Sequence, residues 1–400
     1  MNENIYKKLK NNISEEELIN FIENLVKIPS YNGIVNQETK VAEHIQQIFL
    51  KEGIDSEIVP VIDGRSNVIA KIKGNGKGKT LLLTGHMDTV PPYDMTEPFE
   101  IKNDGDRLVA RGVVDMKGPL ACMIYSMISL KRANVKLDGD IIFAGVIDEE
   151  EKSLGTIDLL ERGVVADAAI VGEPTNLNIC VAHRGLEWFE LQFHGKTVHG
   201  GAQKEGINAI LSASKFIQKT EDILIPKIEK ETHSIIGTSS MNYGTINGGT
   251  QPSTVAGECV MKFDRRWVPG VKYDDVVNEY KDVIKELSNN DNNFKCTLKV
   301  VDESVMKEGY VHESMETDIN HPIVNITKYI TNEVFNISPE ITYFPAWSDG
   351  GLLSSYGNIP TIVFAPGDLT TAHSSVEQLE IKQILPATLI YALIAIEYCK

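Results

Sequence analysis

The fold of this 400-residue chain is decided by the stretch LLLTGHMDTVPP, residues 81–92. Its apolar run is too short for a helix and stops at Gly-His-Met-Asp and two prolines, which predicts a buried β-strand that ends there. In open α/β sheets, ligands bind at the carboxyl ends of the strands. His86 and Asp88 are two residues apart, so their side chains lie on one side of an extended chain. One imidazole nitrogen of His86 can then bind a metal ion while Asp88 orients the other.

Two later apolar segments end in acidic residues in the same way. A predicted buried strand at 140–147 leads into the acidic run 148–151, and another at 168–171 leads to Glu173. On its own, a run of four acidic residues indicates a solvated turn, because the carboxylates repel one another. A nearby cation reverses that balance by neutralising them.

Asp115 and His373 complete the pattern. A short strand breaks at Gly112 before Asp115, and the next helix is predicted from about Pro119. An aspartate just before a helix is usually an N-cap, but Asp115 stands several residues ahead of this one and its carboxylate is free for another role. An apolar strand at 361–365 precedes the loop that contains His373. Strand ends that repeatedly offer imidazole and carboxylate groups predict one converged metal site.

The candidate ligands are two imidazoles and three carboxylates, namely His86, Asp115, Glu150, Glu173 and His373. This set suits zinc, cobalt or manganese and contains too much nitrogen for magnesium or calcium. Five ligands exceed the three that one catalytic zinc ion takes from a protein, but two ions that share a carboxylate receive three each. Glu149, next to Glu150, is the candidate general base beside such a pair.

The ordered motifs resemble those of the dinuclear zinc amidohydrolases and exopeptidases, a family that includes acetylornithine deacetylase, succinyl-diaminopimelate desuccinylase, aminoacylase and carboxypeptidase G. The resemblance extends over nearly the whole chain. It implies that His86 and Glu173 hold one metal ion, that Glu150 and His373 hold the other, and that Asp115 bridges them. It also implies that Asp88 orients His86, that Glu149 is the general base and that the Asp115–Met116 peptide bond is cis.

The length and the order of predicted strands and helices indicate two domains, since 400 residues exceed what one hydrophobic core usually serves. The resemblance implies a phosphorylase/hydrolase-like α/β catalytic domain, with a mixed, largely parallel sheet flanked by helices, over residues 1–183 and 313–400. The order of predicted strands and helices changes between these two segments, and residues 184–312 are predicted to form an inserted α+β (ferredoxin-like) lid or dimerisation domain. A homodimer through this lid is expected from the resemblance.

Two elements of the predicted lid also match the family. The sequence of residues 195–200 contains His199, which the resemblance implies polarises the scissile carbonyl, commonly from the other subunit. Residues 264–266 resemble an Asp-x-Arg element, which makes Arg266 the predicted clamp on a substrate carboxylate, with Arg265 as the alternative. Ser253 stands where the family usually has asparagine, so substrate contacts there are expected to differ. His183 and His194 are interpreted as structural.

Composition narrows the possible partners and compartment. The net charge of −17 disfavours nucleic acid and anionic membranes as partners. The five cysteines are scattered and form no Cys-x-x-Cys motif, which favours reduced thiols. The N-terminus lacks the apolar core of a signal peptide, and no run of 18 apolar residues occurs. A cytoplasmic location is expected.

The glycine-rich segment 74–80 differs from a phosphate-binding loop in two respects. It has one residue too few between its outer glycines, and it joins strand to strand without a helix N-terminus to receive a phosphate. A glycine-rich hairpin turn is therefore predicted.

The predicted metal site and the family resemblance together imply a metal-dependent hydrolase that cleaves the amide bond of N-acyl amino acids through a metal-activated hydroxide, in the manner of acetylornithine deacetylase or succinyl-diaminopimelate desuccinylase. The alternative enzyme is a dipeptidase or carboxypeptidase of the same family. The alternative outside enzymes is a catalytically silent relative that binds amino-acid derivatives, which the complete ligand set and Glu149 disfavour.

Overall fold

The computed structural model describes residues 3–400, which form two compact units. The first comprises the chain up to Ala182 and from Met315 to Lys400, and the second is His183–Ser314.

The elements follow one another along the chain in three groups. The first group has the helices α1 (Glu3–Lys10), α2 (Glu15–Val26), α3 (Thr39–Lys51), α4 (Gly118–Arg132) and α5 (Leu154–Glu161), and the strands β1 (Asp55–Ile62), β2 (Arg65–Ile72), β3 (Leu81–His86), β4 (Lys102–Asn103), β5 (Arg107–Val109), β6 (Ile141–Val146), β7 (Ala168–Val171) and β8 (Ile179–His183). The second has β9 (Gly185–His194), α6 (Ala209–Lys219), α7 (Ile225–Ile228), β10 (Thr232–His233), β11 (Gly237–Thr238), β12 (Ser240–Gly248), β13 (Glu258–Trp267), α8 (Tyr273–Asn290) and β14 (Lys295–Val300). The third has β15 (Met315–Glu316), α9 (Pro322–Phe335), β16 (Ile341–Tyr343), α10 (Gly350–Ser355), β17 (Thr361–Val363), β18 (Gln378–Glu380) and α11 (Ile381–Tyr398).

A nine-stranded mixed sheet runs through the first unit in the order β1-β2-β6-β3-β7-β17-β8-β15, with β16 beside β8. Its centre is parallel, because β3 pairs in parallel with β6 and β7, and β7 with β17. All six residues of β3 are buried, as expected for a strand covered on both faces. The carboxyl ends of these parallel strands therefore lie at one edge of the sheet, as predicted from the strand-end pattern.

Helices cover both faces of this sheet. On one face, Leu82 and Val146 belong to a buried cluster with Leu159 of α5 and Leu353 of α10. On the other, α4 packs so closely that a Cβ added to Gly85 would lie 3.2 Å from the side chain of Leu120. The α/β architecture predicted for the catalytic domain is confirmed.

The helix α2 illustrates how local sequence sets an element boundary. Ser14 is its N-cap, and the Ser14 hydroxyl accepts a hydrogen bond of 3.1 Å from the Glu17 backbone N–H. The buried residues then follow at helical spacing, namely Leu18, Phe21, Ile22, Leu25 and Val26.

Two helical stretches, Val113–Arg132 and Ile381–Tyr398, would be long and apolar enough to cross a membrane by length and composition alone. An 18-residue window of the first stretch is entirely buried and 67% of such a window in the second is buried, which is equally typical of core helices.

The second unit is a four-stranded antiparallel sheet in the order β12-β13-β9-β14. The main elements follow in the chain as β9, α6, β12, β13, α8 and β14, which is the βαββαβ arrangement of a ferredoxin-like fold. Phe216 of α6 and Tyr280 of α8 pack with the strand residues Phe189 and Phe263 in one apolar core. The predicted α+β insertion with ferredoxin-like topology is confirmed.

The hairpin predicted for residues 74–80 is wrong. This segment joins β2 to β3, but β6 lies between these two strands in the sheet. The glycines serve close backbone packing, since a Cβ on Gly78 would overlap the backbones of Gly139 and Cys399. The sequence shows where the chain turns but does not show that a later strand is inserted between the two.

All five cysteines are free thiols, as predicted.

Candidate metal centre

Asp115 lies between two histidines at the carboxyl edge of the central strands. Its Oδ1 is 3.0 Å from Nε2 of His86, the last residue of β3. Its Oδ2 is 3.1 Å from Nε2 of His373, which stands in the loop after β17. Asp115 occupies an irregular turn before α4, and its peptide bond to Met116 is cis, as the family resemblance implies.

Each histidine has a second carboxylate beside it. Glu173, which follows β7, places Oε1 3.4 Å from His86 Nε2. Glu150, which follows β6, places Oε1 3.2 Å from His373 Nε2. Glu149 Oε2 lies 4.0 Å from His86 Nε2, and His86, Glu149 and Glu173 each offer a ligand atom within 4.8 Å of the others. All five candidate ligands and the candidate base therefore converge on one place.

The donor atoms fit divalent cations by their spacing. Two ligands of one tetrahedral zinc ion, each at about 2.1 Å from it, lie about 3.4 Å apart. The distances of 3.0–3.4 Å between imidazole nitrogen and carboxylate oxygen agree with that value. Glu173 Oε1 is also buried without a hydrogen bond to any of the described residues, although His86 Nε2 lies 3.4 Å away. A buried oxygen of this kind is expected of a metal ligand.

The electrostatics of the carboxylates also favour a bound cation. Burial raises the pKa of Glu173 to about 7, and the charge of Asp115 adds to the effect. Burial, together with the charge of Glu173, raises the pKa of Glu149 well above its usual range. Burial and the charge of Asp115 likewise raise the pKa of Glu150. Crowded buried carboxylates disfavour their own ionisation, and a cation among them removes that cost.

The histidines compensate for this negative charge in the protein alone. Burial lowers the pKa of His86, but the charge of Glu173 and the hydrogen bond with Asp115 outweigh it and hold that pKa well above its usual range. Hydrogen bonds with Asp115 and Glu150 raise the pKa of His373 to about 11. Burial acts to raise the pKa of Asp115, but the two histidines outweigh it and hold it below its usual range. The raised histidine pKa values favour the imidazolium forms in the metal-free protein, and binding of cations at the same nitrogens would release those protons.

Asp88 organises the site chiefly through its neighbours. The Nδ1 of His86 lies 2.9 Å from the backbone carbonyl oxygen of Asp88 and 3.4 Å from its carboxylate. The carboxylate oxygens accept hydrogen bonds from the backbone N–H groups of Glu149, at 3.3 Å, and Glu150, at 3.0 Å. Asp88 therefore holds both the histidine and the turn that carries the candidate base.

Glu377 is a buried residue of the site that the sequence patterns did not single out. Its Oε1 accepts hydrogen bonds from the backbone N–H groups of Val114, at 3.0 Å, and Asp115, at 3.1 Å. Its Oε2 pairs with the buried Arg111 guanidinium at 2.5 Å. Glu377 follows His373 by only four residues, but nothing local in the sequence shows that it packs behind Asp115, more than 260 residues away.

The remaining predicted residues belong to the second unit. His199 is exposed, and its Nδ1 accepts a hydrogen bond of 3.1 Å from the Gly201 backbone N–H. The Gly200 N–H donates to the carbonyl oxygen of Ser253 at 2.7 Å, so the His199 segment lies beside the loop with the unusual serine. His194 is exposed and its Nε2 lies 2.8 Å from the Thr297 hydroxyl.

The two neighbouring arginines of β13 point to opposite faces of the second unit's sheet. Arg265 is fully buried and its guanidinium pairs with Glu231 at 2.9 Å and Glu279 at 3.2 Å. Arg266 is about one-third exposed and pairs with Asp264 at 3.1 Å. Arg265 therefore stabilises the unit's interior, and of the two arginines only Arg266 has a side chain accessible to a small molecule.

Similarity to known proteins agrees with this fold. The chain is 28% identical to the N-formyl-4-amino-5-aminomethyl-2-methylpyrimidine deformylase of Bacillus subtilis, over 100% of this chain and 99% of that protein. It is 29% identical to a probable succinyl-diaminopimelate desuccinylase of Staphylococcus epidermidis, over 90% and 92% of the two chains. The crystal structure of a dinuclear metal-binding peptidase of the M20 family from Bacillus subtilis aligns with a TM-score of 0.72 at 18% identity, covering 96% of this chain and 98% of the other.

An α/β hydrolase of amide bonds with a candidate metal centre is the class that these features define. The model of peptidase family M20/M25/M40 matches residues 82–397, and the chain belongs to that family.

Proposed function

We propose that this protein is a deacylase that uses two divalent metal ions to hydrolyse the amide bond of an N-acyl amino acid. Zinc is the expected metal. The observation that carries the proposal is the position of Asp115, whose two carboxylate oxygens each approach a different histidine. Because each histidine has a further carboxylate beside it, one shared aspartate divides the ligands into two sets of three.

The two sets assign the ligands to the ions. His86, Glu173 and Asp115 would hold one ion, and Glu150, His373 and Asp115 the other. Bound there, two such ions would lower the pKa of a water molecule and polarise the substrate carbonyl.

Glu149 supplies the proton transfers. Its carboxylate lies 4.0 Å from His86 Nε2, and the hydrogen bond from its own backbone N–H to Asp88 fixes its position. In the hydrolysis, Glu149 accepts a proton as water adds to the carbonyl carbon. It then donates that proton to the amide nitrogen as the carbon–nitrogen bond breaks. The products are a carboxylic acid and an amine.

The reaction type is supported by the names of the relatives. Both a deformylase and a probable desuccinylase remove an acyl group, which favours deacylation. The motif resemblance supports His199 as a carbonyl contact, Arg266 as the clamp on a substrate carboxylate, and a homodimer through the second unit. A dipeptidase or carboxypeptidase is the second candidate, favoured by the structural similarity to an M20 peptidase.

Turnover by metal-free and reloaded protein tests the proposal. The protein is stripped with a chelator, reloaded with zinc or cobalt, and assayed on N-formyl, N-acetyl and N-succinyl amino acids and on dipeptides. We expect turnover only after reloading, with acylated amino acids preferred to dipeptides. Activity that persists without metal would overturn the mechanism, and a preference for dipeptides would replace the deacylase with the peptidase.

The Glu149→Gln variant tests the role of the base. We expect kcat to fall about 100- to 10,000-fold, because general acid–base catalysis contributes that much. The variant should still bind two metal ions per chain, measured by elemental analysis. Loss of one or both ions would mean that Glu149 is a ligand and not the base.

A further inference from the structure

A buried ion-pair cluster lies behind the turn that carries Glu149 and Glu150. Arg65 donates to Glu38 with Nε at 2.8 Å and with Nη2 at 2.5 Å, and its Nη1 lies 2.8 Å from Asp148 Oδ1. The Glu38 side chain is 0% exposed and that of Asp148 is 2% exposed. One guanidinium thus bridges two buried carboxylates that would otherwise repel each other.

This cluster fixes the backbone of Asp148 as well as its side chain. The Asp148 N–H donates to Glu38 Oε1 at 3.1 Å. The Asp148 carbonyl oxygen accepts hydrogen bonds from Lys152, at 3.0 Å, and Ser153, at 2.6 Å. Its φ of +71° is in the left-handed region, which costs an L-residue about 1–2 kcal/mol. The conformation therefore depends on the groups that hold Asp148 in place.

Glu149 and Glu150 follow directly, and their backbone N–H groups are bound by Asp88 on the other side of the turn. The turn is consequently held at two points. Asp88 holds the amides of Glu149 and Glu150, while Arg65 and Glu38 hold Asp148. A change at Arg65 would move the candidate base and a candidate ligand without touching either.

We propose that Arg65 is a positioning residue for the hydrolysis, acting through Asp148 and Glu38 to hold Glu149 and Glu150 in their working geometry. This inference rests on the proposed function, because it takes Glu149 as the base and Glu150 as a metal ligand. Arg65 itself contacts neither of them by any hydrogen bond or ion pair among the described residues.

The Arg65→Lys variant tests the proposal, since lysine keeps the charge but cannot form the fork that joins both carboxylates. We expect kcat to fall about 10- to 100-fold at nearly constant KM. We also expect one of the two metal ions to bind about 10- to 100-fold more weakly, measured by competition with a chromogenic chelator. The metal titration reports on the site independently of activity.

Arg132→Lys is the matched control. Arg132 bridges two carboxylates of the same unit, Glu17 at 2.7 Å and Glu52 at 2.7 Å. Among the described residues, no ion pair or hydrogen bond joins these three to the metal-centre residues. We expect its kcat and metal affinity to stay within about twofold of the unchanged protein. Both variants are compared at a temperature well below their measured Tm. Should Arg65→Lys fail to fold, Glu38→Gln weakens the same cluster and is expected to show the same losses.

Equal effects of Arg65→Lys and Arg132→Lys on kcat and metal affinity would overturn the positioning role. This result is distinct from failure of the proposed function itself. If the proposed function is wrong, the unchanged protein shows no metal-dependent turnover, or Glu149→Gln keeps its activity, whatever the arginine variants do.

Discussion

Glu377→Ala should destabilise the first unit strongly, although Glu377 is not proposed to touch metal or substrate. Its carboxylate pairs with the buried Arg111 guanidinium at 2.5 Å and accepts two backbone hydrogen bonds, from Val114 and Asp115. The side chains of both Glu377 and Arg111 are 1% exposed, so solvent cannot replace the lost partner. Breaking a buried pair by removing one partner costs about 3–5 kcal/mol, and the two orphaned N–H groups add to that cost. We expect a loss of at least about 4 kcal/mol.

Urea titration followed by far-ultraviolet circular dichroism measures this loss as a shift of the unfolding midpoint. The double variant Arg111→Met/Glu377→Ala is the control, because it removes the orphaned charge. It should recover a substantial part of the stability, since replacing both partners of a buried pair with apolar groups can be nearly neutral. A loss below about 1 kcal/mol in Glu377→Ala, or no recovery in the double variant, would refute the reasoning.

Three further predictions concern other parts of the chain. Burial raises the pKa of Glu187 to about 7 despite the hydrogen bond from Ser304, so the free energy of unfolding should fall by about 3 kcal/mol as the pH rises from 4.5 through 7. Glu187→Gln should remove this pH dependence, measured by urea titration at pH 5 and pH 8. Gly85→Ala should lower the stability by about 1–3 kcal/mol and weaken metal binding, because the added Cβ overlaps the Met116 side chain next to Asp115. Thermal unfolding and metal titration measure the two effects, and an unchanged Tm would contradict this packing argument. Ser14→Ala should cost about 1 kcal/mol by removing the N-cap of α2, measured as a lower Tm, whereas an unchanged Tm would mean that this cap does not limit stability.

Much of the fold could be predicted because the signals are local. The apolar run before His86 is a central strand, and the change of pattern after residue 184 corresponds to a four-stranded antiparallel sheet with its own core. The strand-end pattern worked for a physical reason. The carboxyl ends of parallel strands share one edge, so residues that follow strands far apart in sequence meet there.

The parts that the sequence did not reveal depend on long-range pairing. Arg65 joins residues from two distant segments, Glu38 and Asp148, and the glycine-rich segment 74–80 passes over a strand that appears in the chain only later. Alternation along β13 could have distinguished the buried arginine from the accessible one, because Arg265 shares a face of the strand with buried residues and Arg266 shares the other face with mostly half-exposed ones. That distinction requires knowing that the strand extends to Trp267.

The most direct test of the account is a count of metal ions. Metal-free protein is titrated with zinc or cobalt and the bound ions per chain are measured by elemental analysis after gel filtration, alongside the Asp115→Asn variant. We predict two ions per chain in the unchanged protein and weakened binding of both ions in Asp115→Asn, because one carboxylate serves both histidines. A single bound ion, or an Asp115→Asn variant that binds two ions with unchanged affinity, would contradict the shared centre.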